Sequence, residues 1–173
     1  MRPHLTEIQL VQGCRQQDRL AQKVLYDRYK TAMYTLAYRI TNDFGQAEEV
    51  LQDAFLKVFK HITSFKGTAS LGSWIKTIVI RTALKKIQRK IRFEPLEDHS
   101  LPALIDWRQA LDSEYLEQAI QSLPEGFRAV FVLIEIEGYT HKEVSNLLDI
   151  AVGTSKSQLF HAKKKLKHIL KNQ

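Results

Sequence analysis

The residues with the clearest chemical potential lie near the end of the chain. Thr154, Lys156, Ser157, Gln158, His161 and Lys164 recur at spacings that place them on the outward faces of one helix, while Leu159, Ala162, Leu166 and Ile169/Leu170 form its inward stripe. Hydroxyl, amide and imidazole groups near a helix N-terminus can hydrogen-bond base edges in a DNA major groove, and neighbouring lysines can neutralise phosphates. Just upstream, Thr140 is an N-cap residue and Glu143, three positions on, completes a capping box. Val144, Leu147 and Leu148 then face inward, and Asp149–Val152 makes a tight turn. A capped helix, a turn and a basic second helix predict a helix-turn-helix, with Thr140 also placed against the DNA. An αα-hairpin with a solvated lysine face is the alternative.

Two further clusters could bind rather than react. Lys76, Arg81, Lys85, Lys86, Arg89, Lys90 and Arg92 crowd one segment, and no acid lies between positions 54 and 93. Such a run favours a phosphate backbone over a merely solubilising face. The small polar stretch just before it contains Lys66, Thr68 and Ser70. Trp74 could stack on a base, but its place on the inward stripe with Ile78 reads as core. Earlier, Glu48, Glu49, Gln52 and Asp53 project from a helix whose apolar stripe faces in, with Leu56 beside them. That face suits a basic, partly apolar partner; a plain solvated face is the other reading.

No constellation for catalysis accompanies these clusters. A nucleophile elbow, a phosphate loop and a zinc-protease motif are all missing, and the six histidines at 4, 61, 99, 141, 161 and 168 are scattered. The single cysteine, Cys14, can close neither an internal disulfide nor a thiolate cage. It reads as a small apolar filler on the first helix, with a redox switch as the lesser alternative. Neither a metal nor a cofactor is expected.

The elements that must hold these residues are helices. Seven Gly and four Pro in 173 residues leave few breaks, and the helical period recurs throughout. The spacing predicts helices over 5–16, with Ile8, Val11 and Cys14 inward; 18–41, with Leu25, Tyr29, Met33, Leu36 and Ile40 inward; 46–62, with Leu51, Ala54/Phe55, Val58 and Ile62 inward; and 71–91, with Leu71, Trp74, Ile75, Ile78 and Leu84 inward. Asn42–Gly45 is read as a turn. Residues 93–112 lose the pattern and hold Pro95, Pro102, Glu94, Glu97, Asp98 and Asp106. The run Ala129–Ile134 reads as a buried helix, because periodic helix flanks it. The fold expected is all-α: an N-terminal helical domain at 1–92, an acidic linker at 93–112 and a helix-turn-helix domain at 113–173.

Charge follows the same division. Residues 1–92 carry 17 Lys/Arg against 7 Asp/Glu, residues 93–114 carry one against six, and residues 115–173 carry eight against six. A basic body, an acidic middle and a basic tail suit two polyanion-binding units on a tether that avoids polyanions. No apolar run approaches the ~20 residues that span a bilayer. The first residues lead into a helix rather than an apolar signal core, so the cytoplasm is expected, without membrane insertion.

The same residues carry a family resemblance. Leu123-Pro124 with Arg128, Val130 and Phe131, then Glu137-Gly138-Tyr139 with Glu143, then Gly153-Thr154-Ser155-Lys156-Ser157-Gln158-Leu159 resemble the C-terminal domain of extracytoplasmic-function sigma factors. The resemblance implies contact with the minus-thirty-five promoter element through Thr154, Lys156, Ser157, Gln158 and His161. Independently, Gln46 to Phe59 resembles the family helix that docks on the clamp coiled coil of the polymerase largest subunit, which implies that role for Glu48, Glu49, Gln52, Asp53 and Leu56. Phe65 to Ile75 resembles the loop that captures a base flipped from the minus-ten element, and the basic helix after it resembles the one that lies along that element. This implies minus-ten contacts for Lys66, Thr68, Ser70, Lys76, Arg81, Lys85 and Arg89. The chain departs from the family at Arg81 (usually Asn), Lys85 (usually Asp), Gln88 (often Arg), Ala151 (usually a Ser cap), Ser155 (usually Val) and Gln158 (usually Arg). A lost N-cap costs ~1 kcal/mol of helix stability.

The likeness spans roughly residues 8–170, with both motif sets in order. It implies a non-catalytic sigma factor that binds core RNA polymerase and directs promoter recognition and melting. Such factors are commonly held by an anti-sigma protein, which adds one further partner to test. The acidic linker is read equally as a plain tether or as a peptide threaded into polymerase channels. The competing functions are a free-standing helix-turn-helix regulator, which has no need of the 46–62 face, and a decoy that binds polymerase without opening DNA.

Overall fold

The structure, a computed structural model, describes residues 5–88 and 114–171. The chain divides into two compact units, Met1–Lys86 and Ile87–Gln173. Every element among the described residues is helical. The linker assigned to 93–112 lies outside the described residues, as do Arg89, Lys90 and Arg92.

In the first unit, α1 spans Glu7–Arg15. Thr6 caps it: its hydroxyl accepts from Gln9 N at 3.3 Å and the Gln9 side chain accepts from Thr6 N at 2.9 Å. The face it buries is Leu10, Val11 and Cys14. Ile8, expected inward, is 72% exposed. Leu10 and Cys14 lie four apart on one stripe, and Ile8 falls well outside their arc. Asp18 accepts from Leu20 N and Ala21 N and so starts α2, Arg19–Thr41. The two helices approach so closely that a Cβ on Gly13 would sit 2.5 Å from Cβ of Ala21.

The expected turn at 42–45 is shorter than the sequence suggested. Asn42 ends α2 in the left-handed conformation at φ 54°, and Asp43 accepts from Gln46 N at 2.8 Å. Helix α3 therefore begins at Phe44 and runs to His61. One residue closes a helix and the next opens another, because Asn tolerates positive φ and Asp supplies the missing acceptor. Ala47, Val50, Leu51, Ala54, Phe55 and Val58 form the buried stripe of α3, which packs on α2. The Tyr26 ring meets Phe55 edge-on at 4.8 Å.

A 3-10 turn at Ile62–Ser64 leads to α4, Leu71–Ile87. Leu71, Ile75, Val79, Ile80, Ala83 and Leu84 are buried, but Trp74 and Ile78 are only partly so. Trp74 is thus a wall residue and not core. The stripe of α4 runs through 71, 75 and 79, which leaves 74 and 78 at its edge.

In the second unit, α5 is Glu114–Gln121 and α6 is Glu125–Phe131. The buried run expected at 129–134 is helical, but it passes from α-helix to a π-helical turn over Val132–Ile136. Gly138 then turns at φ 78°, and α7 spans His141–Leu148. Asp149 ends α7 in the left-handed region at φ 55°, and α8 runs from Val152 to Lys171. Leu116, Ile120, Phe131, Leu133, Val144, Leu159, Ala162 and Leu166 form the core.

Candidate nucleic-acid interface

The helix-turn-helix expected from the sequence is α7, the turn at Asp149 and α8. Its opening is a full capping box. Glu143 N donates to Thr140 Oγ1 at 3.2 Å, and Thr140 N donates to Glu143 Oε2 at 2.8 Å. The Thr140 hydroxyl donates to the same carboxylate at 2.7 Å, so this residue, placed against DNA by sequence, is committed to the cap. Those bonds pull the Glu143 carboxyl below its ordinary range.

On α8, Lys156 and Lys164 are exposed, while Thr154, Ser157 and His161 are part-exposed. Ser157 donates to Thr154 O at 3.1 Å, and the His161 ring stacks on Phe127 at 5.9 Å. These five share the solvent side of the helix. Gln158 does not. Its exposure is 0%, and neither Oε1 nor Nε2 has a hydrogen-bond partner. The assignment of Gln158 to the DNA-facing surface is therefore corrected. Its polarity suggested an outward face, but Ser155, Gln158, Leu159, Ala162 and Leu166 follow the inward period. Ser155, also fully buried, meets Nδ1 of His141 at 2.9 Å, which satisfies a hydroxyl where the family usually has Val. Burial, reinforced by Lys156 and Lys163 and opposed by Glu135, lowers the His141 pKa.

In the first unit, Glu48, Glu49, Gln52, Asp53 and Leu56 all lie on the exposed side of α3. Leu56 is 69% exposed amid these polar groups. Glu49 pairs with Lys86 of α4, and that hydrogen bond holds the Lys86 pKa above its ordinary value.

The loop between α3 and α4 exposes Lys66, Thr68 and Ser70. Arg15 ties it to α1 through a 2.8 Å bond to Phe65 O. Between α1 and the loop lies a cleft of about 320 Å³, with Ile8, Val11, Phe65, Lys66, Gly67 and Ala69 in its walls. Ser70 also caps α4, accepting from Ser73 N at 3.2 Å. Along α4, Arg81 and Lys85 are exposed and Lys76 is part-exposed. Arg89 lies outside the described residues. A second cleft, of about 340 Å³, separates α3 from α4 and brings together Lys57, His61, Trp74, Arg81 and Lys85. Lys57 and His61 were not singled out by sequence. A basic pair at the last turns of α3, one turn apart and near the α4 cations, was the available signal. Among the described residues no group of His, Cys, Asp or Glu could hold a metal ion.

Comparison with known proteins assigns both units. A family model described as Sigma-70 region 2 matches residues 25–93, and one described as Sigma-70, region 4 matches residues 113–166. The RNA polymerase sigma-H factor of Pseudomonas aeruginosa is 28% identical, over 90% of this chain and 89% of that protein. The ECF RNA polymerase sigma-E factor of Escherichia coli K12 is likewise 28% identical, over 94% and 93%. The chain belongs to the extracytoplasmic-function sigma factors. This sigma factor acts in transcription initiation and is not a free-standing regulator. Sigma factors are DNA-binding initiation factors rather than catalysts. Two solved structures share the fold. CnrH, solved in complex with the cytosolic domain of CnrY, has a TM-score of 0.56 at 19% identity, covering 94% of this chain and 96% of that one. The sigma factor RpoE of Bartonella quintana, solved with the anti-sigma factor NepR, has a TM-score of 0.54 at 22% identity, covering 86% and 96%. Among the described residues no helix is long and apolar enough to cross a membrane.

Proposed function

We propose that this sigma factor seats the outer face of α3 on core RNA polymerase and grips promoter DNA with two separate surfaces. Glu48, Glu49, Gln52, Asp53 and Leu56 form the docking face. Lys66, Thr68, Ser70, Lys76, Arg81, Lys85 and Arg89 serve the minus-ten element. Thr154, Lys156, Ser157, His161 and Lys164 serve the minus-thirty-five element, with Thr140 holding the helix start and Gln158 removed from the set. On this reading the domains are 1–92 and 113–173, joined by the acidic stretch 93–112, and the chain works in the cytoplasm without catalysis of its own.

The observation that carries this reading is Leu56, an apolar side chain 69% exposed in the middle of an acidic helix face. Exposed leucine costs hydrophobic free energy that a partner recovers, and carboxylates beside it choose a basic partner. NepR, the partner of the Bartonella quintana factor, is an anti-sigma factor; a comparable partner for this chain fits the shared fold.

The test is a binding titration with purified core enzyme. Glu49→Lys with Asp53→Lys should weaken binding at least tenfold while the helical circular-dichroism signal is kept. Lys156→Ala with Lys164→Ala should leave core binding intact and reduce run-off transcription from promoters that need the upstream element. Undiminished core affinity in the first variant refutes the docking face.

A further inference from the structure

Helix α1 lies ahead of the stretch matched by Sigma-70 region 2, which begins at residue 25, and neither the docking face nor the promoter surfaces draw a residue from it. Its two ends nevertheless reach one target. At its C-terminal end, Arg15 Nη2 donates to Phe65 O at 2.8 Å, where the 65–70 loop begins. At its N-terminal end, Glu7 Oε2 accepts from Leu71 N at 3.5 Å, where the loop ends and α4 starts. The second bond is long, but charge adds to it. Helix α4 has no acid in its own first turn, and a carboxylate at a helix N-terminus is favourable.

Glu7 is itself oriented. Tyr29 of α2 donates its hydroxyl to Glu7 Oε1 at 3.1 Å. Burial, followed by the bond to Glu7 and its charge, pushes this phenol up to about 12, so it remains a donor at neutral pH. The same ring closes on the first turn of α4, where a Cβ on Gly72 would sit 3.1 Å from Tyr29 Cε1. Helix α1 is a firm base, because Arg28 of α2 donates to Leu5 O at 2.6 Å and Gly13 brings α1 close to Ala21. Beyond the Ser70 cap, the loop has no such anchor of its own. Every residue from Lys66 to Ser70 is exposed, and Gly67 sits at φ 72° with open space around it. Small exposed residues leave a loop's shape to whatever holds its ends.

We propose that α1 is a clasp that fixes the shape of the 65–70 loop, with Arg15 and Glu7 as positioning residues and Tyr29 orienting Glu7. The proposal rests on the promoter-facing reading of that loop and adds a determinant outside the residues assigned to DNA. A loop held at both ends before it meets DNA loses less conformational freedom on binding, and it cannot reshape itself around a wrong base. Release of either end therefore lowers selectivity among minus-ten sequences and leaves binding to core polymerase as it was.

The full chain is tested as Arg15→Met and as Glu7→Gln. Methionine keeps an aliphatic stem and removes the donors; glutamine keeps the shape but offers one acceptor oxygen to two donors. Loop motion is read from the nitroxide spectrum of a spin label at Thr68→Cys in a Cys14→Ala background. Both substitutions should narrow the lines as the label gains freedom, and unchanged spectra overturn the clasp. Selectivity is read without the label, by run-off transcription with core polymerase over promoters varied only in the minus-ten element. The ratio of the strongest to the weakest promoter should fall severalfold in both variants. A purely structural defect would lower every promoter by the same factor and keep the ratio, and that result overturns the positioning role. Tyr29→Phe should lower the ratio too, and should add little to Glu7→Gln, because both act through one carboxylate. Lys66→Ala with Thr68→Ala is the control. If this loop variant changes the ratio while Arg15→Met and Glu7→Gln do not, the clasp alone has failed; if none of them changes it, the promoter-facing reading fails with it.

Discussion

Gln158 is a primary amide sealed beneath α8 with both its polar atoms unbonded. Leaving a buried polar group unsatisfied costs roughly 1–3 kcal/mol. Methionine has a similar length and no such debt, so Gln158→Met should stabilise the second unit by about 1–2 kcal/mol. A urea melt followed by circular dichroism reads this as a higher midpoint at unchanged slope. A lower midpoint would mean that the amide is bonded in solution. Polarity by itself suggests an outward face for Gln158, whereas the helical period places it inward. Ser155 points the same way: polar by type, buried by position, and satisfied by His141. Cys14 was the opposite case, legible from type alone. It is 2% exposed, and burial with the nearby Asp18 charge pushes its thiol up to about 11, well away from the reactive thiolate.

At the scale of elements, caps and periods were the parts of the fold written most openly in the chain. Thr140 with Glu143 announced α7 to the residue, because a capping box has a fixed spacing and a fixed chemistry. The Thr6–Gln9 box of α1 has the same form, but glutamine at the third position is the weaker cue. Thr140→Ala removes the hydroxyl that receives the Glu143 N–H, and should destabilise the second unit by about 1 kcal/mol. Thr140→Ser should restore most of it. Equal melting of all three proteins would show that the cap contributes nothing. The π turn at Val132–Ile136 was invisible beforehand, because an apolar run carries no mark of one extra residue per turn. The clefts were equally hidden. They depend on how α3 faces α4 and α1 faces the 65–70 loop, which no single helix period specifies.

Over the whole molecule, the all-α class followed from few Gly and Pro and a recurring helical period, and the order of the two Sigma-70 regions from two motif sets. Each unit owns a set of fully buried large side chains: Leu10, Leu25, Ile40 and Ile75 in one, Leu116, Ile120, Phe131 and Leu133 in the other. A unit with its own core should fold when cut free. The fragment 1–92 is therefore expected to melt as one cooperative transition and to keep its affinity for core polymerase within about threefold, while losing dependence on the upstream promoter element. A gradual, uncooperative melt would show that the proposed boundary cuts through a core.

The bridge from Glu49 to Lys86 joins the proposed docking face of α3 to α4, the helix proposed to meet the promoter. Both ends are open to water, so the pair is worth little and is readily exchanged. One carboxylate cannot fully neutralise two cations at once. On the proposed reading, an arginine or lysine arriving from the enzyme and claiming Glu49 would release Lys86 from that bond, leaving Asp53 as the nearby carboxylate. Assembly would then sharpen the appetite for DNA, a sequence of events written in a single weak contact.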